Sequence, residues 1–200
     1  MKIGVALSGG GIRGIAHAGA LKAFEENGIN IDIIGGTSSG SLVAVLYAMG
    51  YTPYYIYMLF KRYAQELITV DTTPIINTVS SFITNKKNQV YGFNTGEAIE
   101  KAYNEIAKRK GIKYISDIKM PIAIPAVDVK TSKEYVFTNN KSKSRYISDI
   151  PVGTAVRASS SFPGVFCPCI YKEYTFLDGG ILDNIPVNEV KRLGADKVIA

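Results

Sequence analysis

Two short apolar runs, each followed by a glycine-rich turn and then by a stretch with helical spacing, open this chain. Ile3 to Leu7 is the first such run, the kind that is buried on both faces of a parallel sheet. The turn Ser8-Gly9-Gly10-Gly11-Ile12-Arg13-Gly14 follows, then a helix predicted to about Asn27 with Gly28 as its C′ residue. Ile31 to Gly35 predicts a second buried strand, and Ser41 to Met49 a buried helix. Strand, glycine loop, helix and strand in that order open a βαβ unit and place the chain in the α/β class. Tyr54 to Leu67 predicts a helix whose aromatics (Tyr54, Tyr55, Tyr57, Phe60, Tyr63) read as core packing. A substrate-channel or membrane-contact face is the alternative for them.

The pattern weakens over Thr69 to Phe93, which lacks a clean period and is rich in Ser, Thr and Asn. Residues 69–93 therefore read as a loop-rich cap near an active-site mouth and not as a second domain. Asn94-Thr95-Gly96-Glu97 starts a helix in the manner of a capping box, and Gly111 closes it after Lys110. Ile122 to Val129 predicts a strand in which Pro125 marks an irregularity, and Glu134 to Thr138 pairs back on it. Val152 to Ser159 predicts a short helix, and Ile170 to Leu177 a hairpin ending on Asp178-Gly179-Gly180. A helix over Val187 to Leu193 and a strand from Lys197 complete the pattern.

One stretch imitates a membrane span. Ile33 to Phe60 carries no charged side chain and is long enough to cross a bilayer. Gly35 to Ser41 near its start and Pro53 inside it break it into strand, turn and two helices instead.

Composition narrows the choice further. With 200 residues and 46% hydrophobic content, one well-buried domain over 1–200 is expected, and not two. The net charge of +6 is spread over short clusters: Lys86-Lys87, Lys108-Arg109-Lys110, and Lys141 to Arg145. No RNA-binding or zinc-finger pattern accompanies them, so no nucleic acid partner is expected. Solvated loops and helix ends account for the clusters, with an anionic lipid surface as the alternative. The two cysteines, Cys167 and Cys169, form a C-x-C pair, and only one histidine is present to complete a metal site. That spacing suits neither a disulfide framework nor a four-ligand zinc site. Reduced thiols follow, and with Met1-Lys2 leading directly into a strand, a cytoplasmic protein. No metal and no cofactor are expected.

Three stretches carry chemistry. Gly36-Thr37-Ser38-Ser39-Gly40 is a G-x-S-x-G pattern between a predicted strand and a predicted helix. There the serine sits on a turn too tight for side chains at Gly36 and Gly40, and its hydroxyl is pushed out above the sheet edge. The helix that follows points its positive end at any negative charge forming near Ser38. Gly9, Gly11 and Gly14 match G-x-G-x-x-G, but Asp32 opens its strand and Gly35 or Gly36 stands where a ribose partner belongs. The dinucleotide reading therefore fails in context. Backbone N–H groups of Gly10 and Gly11 serve better as an oxyanion hole, with Arg13 adding positive charge. A serine nucleophile also needs a base. His17, inside the first helix, reads as a packed or solvent-edge side chain, with a Ser-His-Asp triad through it as the alternative; a carboxylate could instead take the proton directly. Asp178 is the best candidate, bared by Gly179 and Gly180; partial burial would raise its basicity above that of a free aspartate. A turn aspartate in a D-G hairpin is the plain alternative for it.

GGGIRG, GTSSG and DGG in this order, with AVRASSSFPGVF between the last two, resemble the patatin-like acyl hydrolases over nearly the whole chain. The resemblance implies a three-layer α/β/α fold with a mostly parallel central sheet. It also implies a Ser-Asp dyad, with Ser38 as nucleophile and Asp178 as general base. Gly9, Gly10, Gly11, Arg13 and Gly14 match the oxyanion-binding loop; Gly36, Gly40, Gly179 and Gly180 complete the motifs. Members hydrolyse acyl esters of lipids without a metal in the chemical step, so the expected partner is a lipid or acyl-ester substrate. Peripheral contact with the inner membrane surface is an added expectation. Leu42, Val43, Leu46, Phe162 and Val165 are the expected acyl-chain walls. A non-catalytic lipid-binding module and an acyltransferase are the alternatives. Family domains usually continue beyond the point matched by Val198-Ile199-Ala200, so a domain cut short within a strand is expected.

Overall fold

The apolar runs form eight strands: β1 (Ile3–Leu7), β2 (Ile33–Gly36), β3 (Ile122–Asp128), β4 (Lys133–Thr138), β5 (Tyr146–Ile147), β6 (Cys169–Tyr171), β7 (Tyr174–Asp178) and β8 (Lys197–Ile199). The helices are α1 (Ile15–Glu26), α2 (Ser39–Ala48), α3 (Pro53–Ile68), α4 (Glu97–Lys108), α5 (Val152–Ser159) and α6 (Val187–Arg192). These come from a computed structural model that describes residues 1–68, 94–140 and 143–200. The cap expected at 69–93 lies outside the described residues.

The strands make one sheet in the order β5-β4-β3-β2-β1-β8, with β7 also pairing β3 and β6 pairing β7. The β1–β2, β1–β8, β2–β3 and β4–β5 pairs are parallel; β3–β4, β3–β7 and β6–β7 are antiparallel. Strand alternation divides the core into two layers. Val5, Leu7, Ile34, Ile122 and Ile124 join a large cluster under α1 to α5. Ala6 and Ile33 face the other way and meet Val190 of α6. The result is a three-layer α/β/α arrangement with unequal outer layers.

Local chemistry moves several boundaries from their sequence-based positions. β2 begins two residues late because Asp32 is used at its edge: its carboxylate accepts the Ile3 N–H at 2.8 Å and its N–H reaches Ile3 O at 2.9 Å. α2 begins earlier than expected, at Ser39. No capping box starts α4; Gly96 is its N-cap in the left-handed region (φ 72°), and Asn94 Oδ1 accepts the Gly96 N–H at 2.8 Å. Tyr54 and Tyr57 of α3 do not lie on its buried face. Tyr54 is 67% exposed and Tyr57 42%, while Ile56 is fully buried and Phe60 half-buried. The helical phase puts Pro53, Ile56 and Phe60 inward, one turn apart.

The decisive feature is the edge of β3. Its first half pairs with β2 (Ile34 with Ile122, Gly35 with Ala123), and its second half pairs with β7 (Ala126 with Asp178, Val127 with Leu177). β2 runs parallel to β3 and β7 antiparallel, so the carboxyl ends of both strands meet head to head between Ala123 and Ala126. Pro125 sits at that junction. Ile34 N–H bonds to Pro121 O, which sets odd-numbered peptide groups of β3 toward this edge. The N–H that Pro125 lacks would point into the gap between the two strands, where no ladder bond is forgone.

Candidate active site

Ser38 leaves the end of β2 with φ 52° and ψ −123°, a conformation that costs a non-glycine residue about 1–3 kcal/mol and is held only by its surroundings. Those surroundings are specific. The Ser38 N–H donates to Ser159 Oγ at 3.1 Å, and the Thr37 hydroxyl donates to Asp183 O at 2.9 Å. The Thr37 N–H reaches Leu7 O at 3.1 Å, and Ser41 Oγ donates to Ser38 O at 2.6 Å. A Cβ on Gly36 would stand 2.3 Å from Gly40 O, and one on Gly40 would stand 2.4 Å from Leu7 O. Both glycines are therefore required by the closeness of the backbones.

Asp178 ends β7 at the other side of the junction and is 1% exposed. Its N–H donates to Ser161 O at 3.0 Å and its Oδ1 accepts the Gly180 N–H at 2.7 Å. Gly179 lies so close to β3 that a Cβ there would be 2.3 Å from Pro125 O. Burial pushes the Asp178 carboxyl above the ordinary aspartate range, opposed by the neighbouring Ser38 hydroxyl and the Gly180 N–H. Oδ2 itself has no partner at hydrogen-bonding geometry among the described residues, although the Ser38 side chain is close enough to act on the carboxyl. The structure thus brings Ser38 and Asp178 together.

The glycine loop closes the third side. Residues 11–14 form a short 3₁₀ turn leading into α1. The Gly9 N–H is taken by Asn184 O at 3.1 Å, and a Cβ there would meet Asn184 Oδ1 at 2.6 Å. Gly14 packs on Ser39 just as closely. Among the described residues, no backbone carbonyl takes the N–H of Gly10 or Gly11. The Gly10 carbonyl accepts both the Arg13 N–H (3.3 Å) and Arg13 Nε (3.4 Å). A peptide N–H points opposite its own carbonyl, so this grip turns the Gly11 N–H away from Arg13. His17 is not part of the site: its Nε2–H donates to Ser8 O at 2.9 Å, and it does not line the cavity.

Ser38, Asp178 and the loop share the wall of a cavity of about 910 Å³. The rest of the lining is mainly apolar, including Leu42, Phe60, Ile99, Phe162, Val165 and Phe166. Val43 and Leu46, expected as acyl-chain walls, are fully buried in the core instead, because that side of α2 faces the sheet. Sequence reasoning missed Ser159, Ser160 and Asn184. The Ser-Ser-Ser run was visible as part of a motif, but nothing in its local pattern assigns each hydroxyl its partner. Among the described residues, no cluster of three metal-ligating side chains is present, and no helix is long and apolar enough to cross a membrane.

Comparison with known proteins places the chain in a family and matches its fold. The patatin-like phospholipase family model matches residues 5–191. The chain is 36% identical over 200 residues to lysophospholipase NTE1 of Meyerozyma guilliermondii, covering 99% of this chain and 12% of that protein. It is 35% identical over 200 residues to lysophospholipase nte1 of Aspergillus fumigatus, with 99% and 12% covered. The chain thus spans about an eighth of the length of these curated relatives. In fold it resembles VipD from Legionella pneumophila (TM-score 0.60, 16% identity, 92% of this chain and 47% of that one). It also resembles the ExoU–SpcU complex of Pseudomonas aeruginosa (TM-score 0.54, 23% identity, 95% and 40%). With a family model covering nearly its whole length, the chain belongs to the patatin-like phospholipase family.

Proposed function

We propose that this chain is a serine acyl hydrolase that cleaves carboxylic esters of lipids through a Ser38–Asp178 dyad. The observation that carries this reading is the head-to-head meeting of β2 and β7 on β3, which sets a strained serine beside a buried carboxylate in an apolar cavity. Ser38 Oγ attacks the ester carbonyl carbon while its proton passes to Asp178 Oδ2. The N–H groups of Gly10 and Gly11 receive the oxyanion, each such donor contributing about 2.7–4 kcal/mol. The C–O bond to the alcohol then breaks and the proton on Asp178 goes to the leaving oxygen. Water attacks the acyl-enzyme, Asp178 takes its proton, and that proton returns to Ser38 as the fatty acid leaves. Each methylene of an acyl chain buried in the cavity adds about 0.8 kcal/mol of binding.

The substrate is the acyl ester of a lipid, in keeping with relatives named lysophospholipases. Peripheral contact with a membrane fits the cavity surroundings: Ile12, Phe162 and Val165 line it yet are 59%, 54% and 47% exposed. The two cysteines, neither in a disulfide, fit a reducing, cytoplasmic setting; burial pushes the Cys169 thiol up to about 11, Arg157 opposing and Glu100 adding to it.

Mutation tests the dyad. Ser38→Ala and Asp178→Asn should each remove p-nitrophenyl ester hydrolysis almost completely, by a factor of about 10³ or more. His17→Ala should retain a substantial part of it. A fluorophosphonate should label the parent chain at Ser38 and leave the Ser38→Ala variant unlabelled. An unlabelled parent chain would favour a non-catalytic lipid-binding module, and loss of activity in His17→Ala equal to that in Ser38→Ala would restore a triad.

A further inference from the structure

We propose that Ser160 positions the water that releases the acyl group from Ser38. The proposal rests on the acyl-hydrolase reading and adds a residue to its second half. Three consecutive serines at the end of α5 divide their work. Ser159 Oγ accepts the Ser38 N–H, and Ser161 O accepts the Asp178 N–H. Ser160, between them, lines the cavity, is 7% exposed, and its Oγ has no partner among the described residues. Its backbone is already engaged, the N–H by Val156 O and Arg157 O and the carbonyl by the Phe162 N–H. Its hydroxyl is therefore a free polar group held one residue from the supports of both dyad members.

The acyl-enzyme creates a need that this hydroxyl meets. Once Ser38 is esterified it has no proton to share, and Asp178 Oδ2 faces the incoming water. Oδ1 is occupied by the Gly180 N–H, so Oδ2 accepts one water proton. A water in a mainly apolar cavity still has a second O–H, and leaving it unpaired is costly. Ser160 Oγ can accept it, fixing the water so that a lone pair points at the acyl carbon. Ser39 Oγ is also buried and unpartnered, but it packs under Gly14, where a Cβ would stand 2.6 Å from it, on the loop side of the dyad. Water attack forms the new C–O bond, the proton moves to Asp178, the C–O bond to Ser38 breaks, and the proton passes to Ser38 Oγ. Ser160 exchanges no proton in the balance; it is a positioning residue.

An alcohol separates this role from a structural one. Methanol has a single O–H proton, which goes to Asp178, so its attack needs no second acceptor. Ser160→Ala should therefore slow hydrolysis of the acyl-enzyme roughly ten- to hundredfold while sparing methanolysis. With p-nitrophenyl butyrate in aqueous methanol, the ratio of methyl ester to free acid should rise by that same factor. That ratio is set after acylation, so it reads the proposed step whichever step limits turnover. The rate of fluorophosphonate labelling at Ser38 should not change, because nothing that holds the dyad is lost. An unchanged product ratio overturns the proposal, as does a fall in labelling that matches the fall in turnover. If instead the parent chain releases no more nitrophenol than its Ser38→Ala variant, the acyl-hydrolase reading itself has failed.

Discussion

In the proposed dyad, Asp178 sets activity against stability. A buried carboxylate is a better base than a free one, and for the same reason its charge is unwelcome in the folded state. The raised pKa fixes the sign of two pH effects. Activity should climb with pH through an acidic limb lying above the pH at which an exposed aspartate titrates, since the base must be ionised to act. Stability should move the opposite way. A group whose folded pKa is raised contributes stability that is complete below its unfolded pKa and is lost as pH rises through the folded value. Asp178→Asn removes that loss. The variant should therefore melt above the parent chain at neutral pH, with the gap closing in acid. Thermal unfolding of both proteins across pH 4–8 checks it, and a variant that melts lower at neutral pH would contradict a buried charge. The turns that bring the proposed dyad together were legible at this scale because glycine spacing announces them. Gly36 and Gly40 frame Ser38, and Gly179 and Gly180 follow Asp178. Ser160 was not legible, since a serine among serines carries no sign of which hydroxyl lacks a partner.

At the scale of elements, apolar runs gave strands and helices well where burial alone determines them. α5 was predicted to the residue, Val152–Ser159, and β1 likewise. α3 was misread at Tyr54 and Tyr57, which were assigned to the core but are exposed, whereas Ile56 holds the buried face with Phe60 packed one turn on. The sharing of one β3 edge by β2 and β7 left only a trace, in Pro125, because pairing between distant strands is not written in either one. A tight helix contact was equally hidden. α5 crosses α4 at Gly153, where a Cβ would come within 2.0 Å of Glu100 O, and the Gly153 N–H donates to Asn104 Oδ1 at 2.8 Å. Nearby, Arg157 pairs with Glu100 at 2.8 Å and Thr154 donates to it at 2.6 Å. The clash is with the Glu100 backbone, which cannot swing aside. Gly153→Ala should push the helices apart and cost about 1–3 kcal/mol or more, despite alanine's better helix propensity. Denaturant unfolding measures this. A stabilised variant would mean that α5 has room to shift.

On the proposed function, the whole molecule must bring its cavity to a lipid ester that is itself part of an aggregate. The charge of +6 offers one route, but the Lys108-Arg109-Lys110 cluster has local uses: Lys108 lies in the last turn of α4, and Lys110 sits 4.7 Å over the Tyr51 ring. The apolar rim offers a stronger one. Besides Ile12, Phe162 and Val165, the segment just after Asp178 exposes Ile181 (46%), Leu182 (56%) and Ile185 (43%). That segment lies between Gly180 and Asn184 on the cavity wall and the start of α6. Insertion of such side chains into a lipid surface scales with the apolar area they bury. Leu182→Asp and Ile185→Asp replace two of them without touching Ser38, Asp178 or the glycine loop. If docking is apolar, the double variant should lose roughly tenfold or more of its rate on lysophospholipid in vesicles, about 1.4 kcal/mol or more of surface affinity. Its rate on soluble p-nitrophenyl butyrate should stay that of the parent chain. Raising salt should weaken vesicle activity only slightly, because screening acts on charge and not on buried apolar area. Equal losses on both substrates would instead place Leu182 and Ile185 in the support of the dyad, and a steep salt dependence would return the docking role to the lysine clusters.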